Sequence, residues 1–288
     1  MNKSVPVYTA IKEYCRQNKL RLHMPGHIGG PGFFMRELNS IAKMDVTEVP
    51  GMDDLHLPAE VIDEGQQLLA RAFGAKQSFF LVNGATSGIH SIILSLQPGS
   101  RVLIARNFHK SVYGGMVLSG LIPEYIPCEI DQETGIALAV SANNIKQSLQ
   151  RNEDISALFI TSPTYYGTVS DINAFSDLVI EKDALLFVDE AHGSHFPFHQ
   201  AYPDPAIKGG ADAVVNGLHK TLPVLNQGAC LHLANRFDNE EGIKAAFSLL
   251  TTTSPSYPIL ASIDLARQFM QEKGEEYLEK ALLLSHEY

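Results

Sequence analysis

Tryptophan is absent from this sequence of 288 residues, and cysteine occurs only three times. Cys15, Cys128 and Cys230 lie far apart, and none of them belongs to a C-x-x-C pair. Disulfide frameworks and zinc ribbons need paired or closely spaced cysteines. The sequence therefore indicates neither, and we expect no metal and a cytoplasmic location.

Basic residues are in the minority. Lys and Arg total 22 against 32 Asp and Glu, which gives a formal net charge of −10. Nucleic acids and anionic membranes are bound by basic surfaces, so we expect neither as a partner. An acidic protein is compatible with a small cationic substrate.

Long apolar runs are also missing. No run approaches the roughly 18 apolar residues of a membrane-spanning helix, and the amino terminus MNKSVPVYTA lacks the apolar core of a secretory signal. A phosphate loop of the G-x-x-x-x-G-K-[ST] type does not occur either. This last absence excludes a helicase-like ATPase, which the segment Asp189–His192 (DEAH) after an apolar strand otherwise resembles.

What is present is an alternation of apolar strand-length segments with helical ones. With 45% hydrophobic residues, the chain is long enough to bury a large core. Alternation of this kind predicts a mostly parallel sheet with right-handed crossovers and helices on both faces, a three-layer α/β/α unit. The seven predicted strands are Ser78–Val82, Arg101–Ala105, Pro123–Ile126, Ala157–Thr161, Ala184–Val188, Ala211–Val215 and Gly228–Leu233.

Two polar residues follow the ends of two of these strands. Asp189 comes directly after the fifth, and Lys220 lies in a loop soon after the sixth. Ligands of open α/β sheets bind at the carboxyl ends of the strands. A lysine that forms a Schiff base and a carboxylate that keeps a pyridine nitrogen protonated are suited to pyridoxal phosphate. Taken alone, such a lysine is more often a solvated surface group.

A loop of small residues, Asn83–Gly88 (NGATSG), connects the first strand to an apolar helix over Ile89–Leu96. Unpaired N–H groups at a helix start bind phosphate. The pattern indicates Ala85, Thr86 and Ser87 as phosphate contacts, with Ser87 as the first choice of side-chain donor. An ordinary helix cap explains the same residues.

Eight segments in one order resemble the major domain of the Orn/Lys/Arg decarboxylases, which are fold-type I pyridoxal-phosphate enzymes. They are HMPGH (23–27), DVTEVPGMDDLH (45–56), NGATSG (83–88), NFHKS (107–111), SPTYYG (162–167), DEAHG (189–193), HKTLP (219–223) and TSPSY (253–257). The resemblance implies an aminotransferase-like fold. It divides the chain into an N-terminal helix and active-site loop segment (1–57), a cofactor-binding major domain (58–254) and C-terminal helices (255–288).

The resemblance also assigns roles. It implies that His109 stacks on the cofactor ring, Ala191 lies against the ring face and His192 is near the substrate carboxylate. His109 is equally well explained as the cap of a following helix. Three further contacts complete the predicted pocket: Thr164 lines it, and His219 and Lys220 bind the cofactor. A metal site built from His192, His195, His199 and Asp189 is the less favoured interpretation.

Two departures from the family are visible. Gly217 stands where the family usually has a serine that contacts the phosphate, and we expect His219 to take over part of this contact. The smaller carboxyl-terminal domain of the family is expected to be absent. The resemblance further implies that Ser254 and Ser256 complete the phosphate site of a neighbouring subunit, which makes the protein a homodimer or a higher homo-oligomer.

The predicted function is decarboxylation of arginine, lysine or ornithine to an amine, a step of polyamine biosynthesis. Two alternatives stay open. An aminotransferase or lyase has the same fold, because fold alone does not determine chemistry. A truncated paralogue would bind the cofactor with little turnover.

Overall fold

The computed structural model describes residues 4–33, 35–152 and 154–287. The predicted segments 1–57, 58–254 and 255–288 therefore each include residues outside the described part. The helices are α1 (Pro6–Arg16), α2 (Asn39–Met44), α3 (Val61–Phe73), α4 (Gly84–Leu94), α5 (Lys110–Ser119), α6 (Ala142–Arg151), α7 (Ile172–Ile180), α8 (Leu218–Thr221), α9 (Glu240–Leu250) and α10 (Tyr257–Glu287). The strands are β1 (Gln77–Leu81), β2 (Arg101–Ala105), β3 (Ile122–Ile126), β4 (Ile155–Thr161), β5 (Leu185–Asp189), β6 (Ala213–Asn216) and β7 (Ala229–Leu233).

The strands form one sheet in the order β1-β7-β6-β5-β4-β2-β3. Only β7 runs against its neighbours, β1 and β6, and the other pairs are parallel. The predicted mostly parallel, seven-stranded sheet is confirmed. Helix α5 connects the parallel strands β2 and β3, and α7 connects β4 and β5, whereas the connection from β5 to β6 contains only the short 3-10 helix Phe196–Phe198.

Both faces of the sheet are covered. Along β4, Phe159 belongs to one buried cluster, whereas its neighbours Leu158 and Ile160 belong to another. The same division separates Phe187 from Leu186 on β5. Because successive side chains of a strand point to opposite faces, the two clusters lie on opposite sides of the sheet. The three-layer α/β/α architecture is therefore confirmed.

The carboxyl-terminal helices differ from the prediction. The sequence predicts separate helices over Pro255–Met270 and Glu275–His286, but α10 is continuous. The segment between them contains Gly274 and no proline, and a glycine inside a helix costs only about 1 kcal/mol. Gly274 is buried, and a Cβ there would lie 3.0 Å from Phe198 Cβ. Close packing therefore explains this glycine, rather than a helix end.

Other boundaries also needed correction. Helix α4 begins at Gly84 rather than at Ile89, and Lys220 lies in the short helix α8 rather than in a loop. Helices α6 and α9 were not predicted. Each has a polar cap, because Ser141 accepts a hydrogen bond from the Asn144 N–H group and Asn239 accepts one from that of Gly242. These caps are the sequence signal that identifies both helices.

Within the described ranges, no helix is both long enough and apolar enough to cross a membrane.

Candidate active site

The site lies at the carboxyl edge of the central strands. β4, β5 and β6 are adjacent and parallel, with Thr161 paired to Asp189 and Asp189 paired to Val215. Their carboxyl ends therefore meet at one edge of the sheet. The segments 162–167, 189–193 and 217–220 follow these ends, so the topology brings three of the singled-out motifs together.

Asp189 places a buried carboxyl group at this edge of the sheet, with 3% of the residue's surface exposed. Its Oδ1 accepts a hydrogen bond of 3.1 Å from the Ala191 N–H group. Burial raises the pKa of Asp189, while Ala191 and the positive charges of Lys220 and His109 act in the opposite direction. The carboxylate is thus placed where a further cation would stabilise its charged form.

Lys220 is exposed, and its charge interacts electrostatically with that of Asp189. Its Nζ lies 3.1 Å from His192 Nε2. Desolvation by the surrounding protein lowers the pKa of Lys220, and the charge of Asp189 partly offsets this effect. A lysine with a lowered pKa is a better nucleophile near neutral pH, because more of its amine is unprotonated.

His192 is half-buried between Lys220 and an aromatic ring. The rings of His192 and Tyr165 meet edge to face, with centroids 5.7 Å apart. Desolvation lowers the pKa of His192, and the charges of Lys220 and His109 lower it further. The structure therefore favours a neutral imidazole beside the amine. Tyr165, which is 77% exposed, was not singled out from the sequence, although it belongs to SPTYYG.

His109 is exposed at the N-terminus of α5. Its side chain accepts hydrogen bonds from the N–H group of Ser111 and interacts with the Ser111 hydroxyl at 2.8 Å. The capping role left open by the sequence is confirmed. Desolvation lowers the pKa of His109, and Asp189 and Lys220 interact with it electrostatically. It therefore belongs to the same cluster, and stacking on a cofactor ring stays a prediction.

The predicted phosphate loop forms the first turn of α4. Gly84 has a φ of 74°, a left-handed conformation that favours glycine. No side-chain cap bonds to this helix start within the described residues. Thr86 is exposed, whereas Ser87 is buried and donates its hydroxyl to Gly84 O at 2.8 Å. Thr86 is therefore better placed than Ser87 to donate a side-chain hydrogen bond to a phosphate. Ala85 precedes both residues in the same turn.

The TSPSY turn lies beside this loop in the same chain. The Thr252 N–H group donates to Asn83 Oδ1 at 3.2 Å, and the Thr252 and Ser254 hydroxyls are 3.0 Å apart. Ser254 is exposed, and Ser256 is partly exposed. Both line a cavity of about 400 Å³ that includes Met24, Pro25, Gly26, Asp45, Val46, Thr47 and Pro255. The HMPGH segment thus forms part of a wall near this turn.

Two other predicted contacts are engaged within the protein, and Gly217 is closely packed. The Thr164 hydroxyl interacts with that of Thr168 at 2.7 Å, and Thr164 is buried. His219 Nδ1 lies 3.0 Å from Gly228 O. At Gly217, an added Cβ would lie 3.0 Å from Ala191 O and 3.2 Å from Lys220 Cδ. A serine at this position would require these neighbours to shift, which gives a physical reason for the glycine.

Sequence reasoning missed the buried pair Glu190 and Asn216. Glu190 is fully buried, and burial raises its pKa to about 8. Asn216 Nδ2 donates to Glu190 Oε2 at 3.0 Å and to the Glu190 backbone oxygen at 3.2 Å. The only sequence signal was a second acidic residue directly after Asp189 in DEAHG.

The residues present fit pyridoxal phosphate. Asp189 is a buried carboxylate, and within the described residues only one of its oxygens has a hydrogen-bond partner. Lys220 supplies an amine with a lowered pKa. The uncapped start of α4 supplies N–H groups for an anion. Pyridine nitrogen, aldehyde and phosphate each have a chemically suitable partner.

The architecture is that of the α/β fold-type I enzymes, and solved structures agree. The chain superposes on "Lysine decarboxylase A from Pseudomonas aeruginosa" with a TM-score of 0.84, 23% identity, and coverage of 96% of this chain and 41% of that one. For the Francisella novicida lysine decarboxylase LdcF the TM-score is 0.86 at 22% identity, with coverage of 98% and 43%. These likenesses establish the fold.

The family follows from the sequence comparisons. The model of the Orn/Lys/Arg decarboxylase major domain matches residues 5–287, so the chain belongs to this family. It is similar to "Uncharacterized protein YaaO" of Bacillus subtilis (strain 168), with 39% identity over 95% of this chain and 58% of that protein. It is also similar to "Arginine decarboxylase" of the same organism, with 34% identity over 98% and 59%. The chain thus spans about three fifths of the length of these two relatives.

Proposed function

We propose that the chain is the cofactor-binding part of a pyridoxal-phosphate-dependent α-decarboxylase that acts on arginine, lysine or ornithine. The observation that carries this proposal is the position of Lys220, whose amine lies 3.1 Å from His192 and interacts electrostatically with buried Asp189. When bound, pyridoxal phosphate supplies the electron sink that stabilises the negative charge left at Cα after CO₂ departs.

Asp189 keeps the pyridine nitrogen protonated in this proposal. A carboxylate raises the pKa of a cation that it contacts, and its burial strengthens the interaction because water does not screen it. The Ala191 N–H group fixes one oxygen of the carboxylate. Ala191 is itself buried at 3% exposure, so its methyl group is suited to pack against a flat ring.

Lys220 and His192 are the groups that move protons. Both have a pKa lowered by desolvation. A base whose pKa lies nearer to the working pH exchanges protons more effectively. We assign the protonation of Cα to Lys220 or to His192 next to it, and the recognition of the substrate carboxylate to His192. His109, which lies between the carboxyl end of β2 and the start of α5, is proposed to stack on the cofactor ring.

The phosphate is proposed to bind at the start of α4. Ala85 contributes its N–H group, and Thr86 contributes its N–H group and exposed hydroxyl. Ser87 supports the turn through its bond to Gly84 O. His219, Ser254 and Ser256 are proposed to complete the site, with Thr164 stabilising the adjacent SPTYYG turn.

The substrate class is supported by the relatives. Similar proteins are named arginine decarboxylase and, at 27% identity over 94% of this chain, the constitutive lysine decarboxylase of Escherichia coli (strain K12). The net charge of −10 is compatible with a cationic substrate. We place the protein in the cytoplasm as a homodimer or higher homo-oligomer, and its amine product in polyamine biosynthesis.

The test measures CO₂ released from carboxyl-labelled arginine, lysine and ornithine, together with the amine formed, in the presence of pyridoxal phosphate. Equimolar CO₂ and amine from one of the three is expected, and Lys220→Ala should abolish both. A keto acid or an elimination product without CO₂ would identify an aminotransferase or lyase instead. Binding of the cofactor without formation of any product would identify the chain as a cofactor-binding paralogue.

A further inference from the structure

Glu190 and Asn216 form a clasp across the carboxyl ends of β5 and β6. Glu190 follows Asp189 directly, and its N–H group continues the ladder by donating to Val215 O at 2.9 Å. Asn216 is the last residue of β6 and donates from Nδ2 to both the side-chain and the backbone oxygen of Glu190. The clasp therefore connects the strand that carries Asp189 to the strand that leads to Lys220.

The clasp is buried on every side. Glu190 is 2% exposed and Asn216 is fully buried. The second carboxyl oxygen, Oε1, accepts a hydrogen bond of 2.7 Å from the Ala206 N–H group. A Cβ on Gly193 would lie 2.7 Å from Glu190 Cγ, so the glycine of DEAHG leaves the space that Glu190 fills. Close packing and two hydrogen bonds, one to each oxygen, define a single position for this carboxyl group.

Only three residues separate Asn216 from Lys220. The turn between them is short and hydrogen-bonded, because the Lys220 N–H group donates to Gly217 O at 2.9 Å and the His219 N–H group donates to Gly228 O at 3.0 Å. The Cδ atom of Lys220 lies within 3.2 Å of where a Cβ on Gly217 would be. A displacement of Asn216 is therefore transmitted to the lysine rather than absorbed by a flexible loop.

We infer that the Glu190–Asn216 clasp is a positioning device that sets the place of the Lys220 amine relative to Asp189 and His192. Its significance for catalysis rests on the proposed function, because Lys220 is the proposed Schiff-base lysine. Neither residue of the clasp touches the cofactor or the substrate in this inference. Burial raises the pKa of Glu190 to about 8, so at neutral pH the clasp adds no net negative charge that would compete with Asp189 for the amine.

A matched control is present at the other end of the same two strands. Asp212 precedes β6, is fully buried, and accepts a hydrogen bond of 2.7 Å from the Leu186 N–H group near the start of β5. It also pairs with Arg236. Asp212→Asn keeps an oxygen for the Leu186 N–H group but removes the carboxylate that pairs with Arg236, so it perturbs a buried polar group at the end of β5 and β6 that lies away from Lys220.

The experiment measures the pH dependence of Lys220 modification by an amine-reactive reagent in the cofactor-free chain, read by peptide mass spectrometry. Exposed Lys280 on α10 is the internal reference. For Asn216→Ala we expect the Lys220 midpoint to rise by about half a pH unit or more, because loosening the turn relieves the desolvation that lowers its pKa. Asp212→Asn should leave the midpoint unchanged, and Glu190→Gln, a neutral variant of similar shape, should stay near the parent.

Asn216→Ser, whose hydroxyl is too short to reach Glu190, provides a second variant if the alanine variant does not fold. A Lys220 midpoint that is unchanged in the folded Asn216 variant, or that shifts equally in Asp212→Asn, would overturn the inference.

Titration with pyridoxal phosphate separates the test of the clasp from the test of the proposed function. If the parent chain does not bind the cofactor but the Asn216 variant shows the midpoint shift, the proposed function is refuted and the clasp is supported. A parent that binds it, with no shift in the variants, would refute the clasp alone.

Discussion

The Lys220 amine and the His192 ring are direct neighbours, with 3.1 Å between Nζ and Nε2. Desolvation lowers the pKa of both groups, and the charge of Lys220 lowers the pKa of His192 further. When the positive charge of one base disfavours protonation of the base beside it, the pair binds a first proton more readily than a second. The pair therefore has both a proton donor and an acceptor within one hydrogen bond, which is what a site that moves a proton needs.

Lys220 is expected to be the residue that binds the cofactor covalently. The parent chain mixed with pyridoxal phosphate should be yellow, and borohydride should fix the cofactor on the peptide that contains Lys220. Lys220→Ala should lose both signals. Lys110→Ala is the control, because Lys110 is exposed at the start of α5 in the NFHKS segment. Fixation on another lysine in the parent would contradict the assignment.

Asp189→Asn should keep the cofactor and lose most of the turnover. Asparagine retains an oxygen for the Ala191 N–H group but removes the negative charge that favours a protonated pyridine. A hydrogen bond to a charged group contributes about 1.5–3 kcal/mol, which corresponds to roughly a 10- to 150-fold loss in kcat. Steady-state CO₂ release and a cofactor titration test this. A kcat within twofold of the parent would remove Asp189 from the proposed role.

Much of the sheet could be predicted because most of its strands, with β3 as the exception, are short apolar runs bounded by turn signals. The seven predicted strands agree with the structure to within two residues at each end. β5 is an example, since Leu185–Val188 has no polar position and every strand residue from Leu186 to Asp189 is buried. Helix ends were harder, because tertiary packing decides them. Gly274 continues α10 by packing against Phe198, and no local pattern reveals that contact.

Only the site residues that belong to the recognised motifs could be predicted from the sequence. Lys220, His192 and Asp189 lie together because β5 and β6 are adjacent, and this adjacency is seen in the structure, since the alternating pattern predicts parallel strands but not their order. The direction in which a hydroxyl points does not follow from sequence. Ser87 and Thr86 are neighbours of similar chemistry, yet one is buried and bonded to Gly84 O while the other is exposed.

Thr86 and Ser87 should therefore respond differently to alanine substitution. Thr86→Ala is expected to weaken pyridoxal phosphate binding about tenfold, since a hydrogen bond to a charged phosphate is lost. Ser87→Ala should change the affinity less and instead lower the free energy of unfolding by about 1 kcal/mol, because a buried hydrogen bond is lost. Cofactor titration and urea unfolding of both variants measure the two effects. The reverse pattern would restore Ser87 as the phosphate donor.

Glu190 should make the protein less stable as the pH rises towards 8. Burial raises its pKa from 4.5 to about 8, so between these values the folded chain keeps a proton that the unfolded chain has lost. Raising the pH then favours the unfolded state, by at most about 1.4 kcal/mol per pH unit. Glu190→Gln does not titrate, so its advantage over the parent in unfolding free energy should grow from pH 5 to pH 8.

Urea unfolding of the cofactor-free chain at several pH values measures this difference. Glu275→Gln is the control, because it removes an exposed carboxylate of α10 instead of a buried one. A constant difference between Glu190→Gln and the parent over the same range would show that Glu190 is ionised in the folded chain.

The last prediction is that Ser254 and Ser256 contribute to the cofactor site of a neighbouring subunit. Ser254 is exposed, and both serines line the cavity beside the HMPGH segment. Thr252, which directly precedes this turn, donates its N–H group to Asn83 at the start of the chain's own phosphate loop, so a contribution within one chain is the competing explanation. A Ser254→Ala/Ser256→Ala double variant should bind pyridoxal phosphate more weakly than the parent, and sedimentation should show at least a dimer.

Complementation between two defective variants separates the shared site from the site within one chain. Co-expression of Lys220→Ala with the double variant produces mixed dimers in which one site combines an intact Lys220 with intact serines only if the site is shared between chains. Recovery of tight cofactor binding in the mixture supports the shared site. A monomeric parent, or a mixture that binds no better than its two components, would place the serines in the site of their own chain.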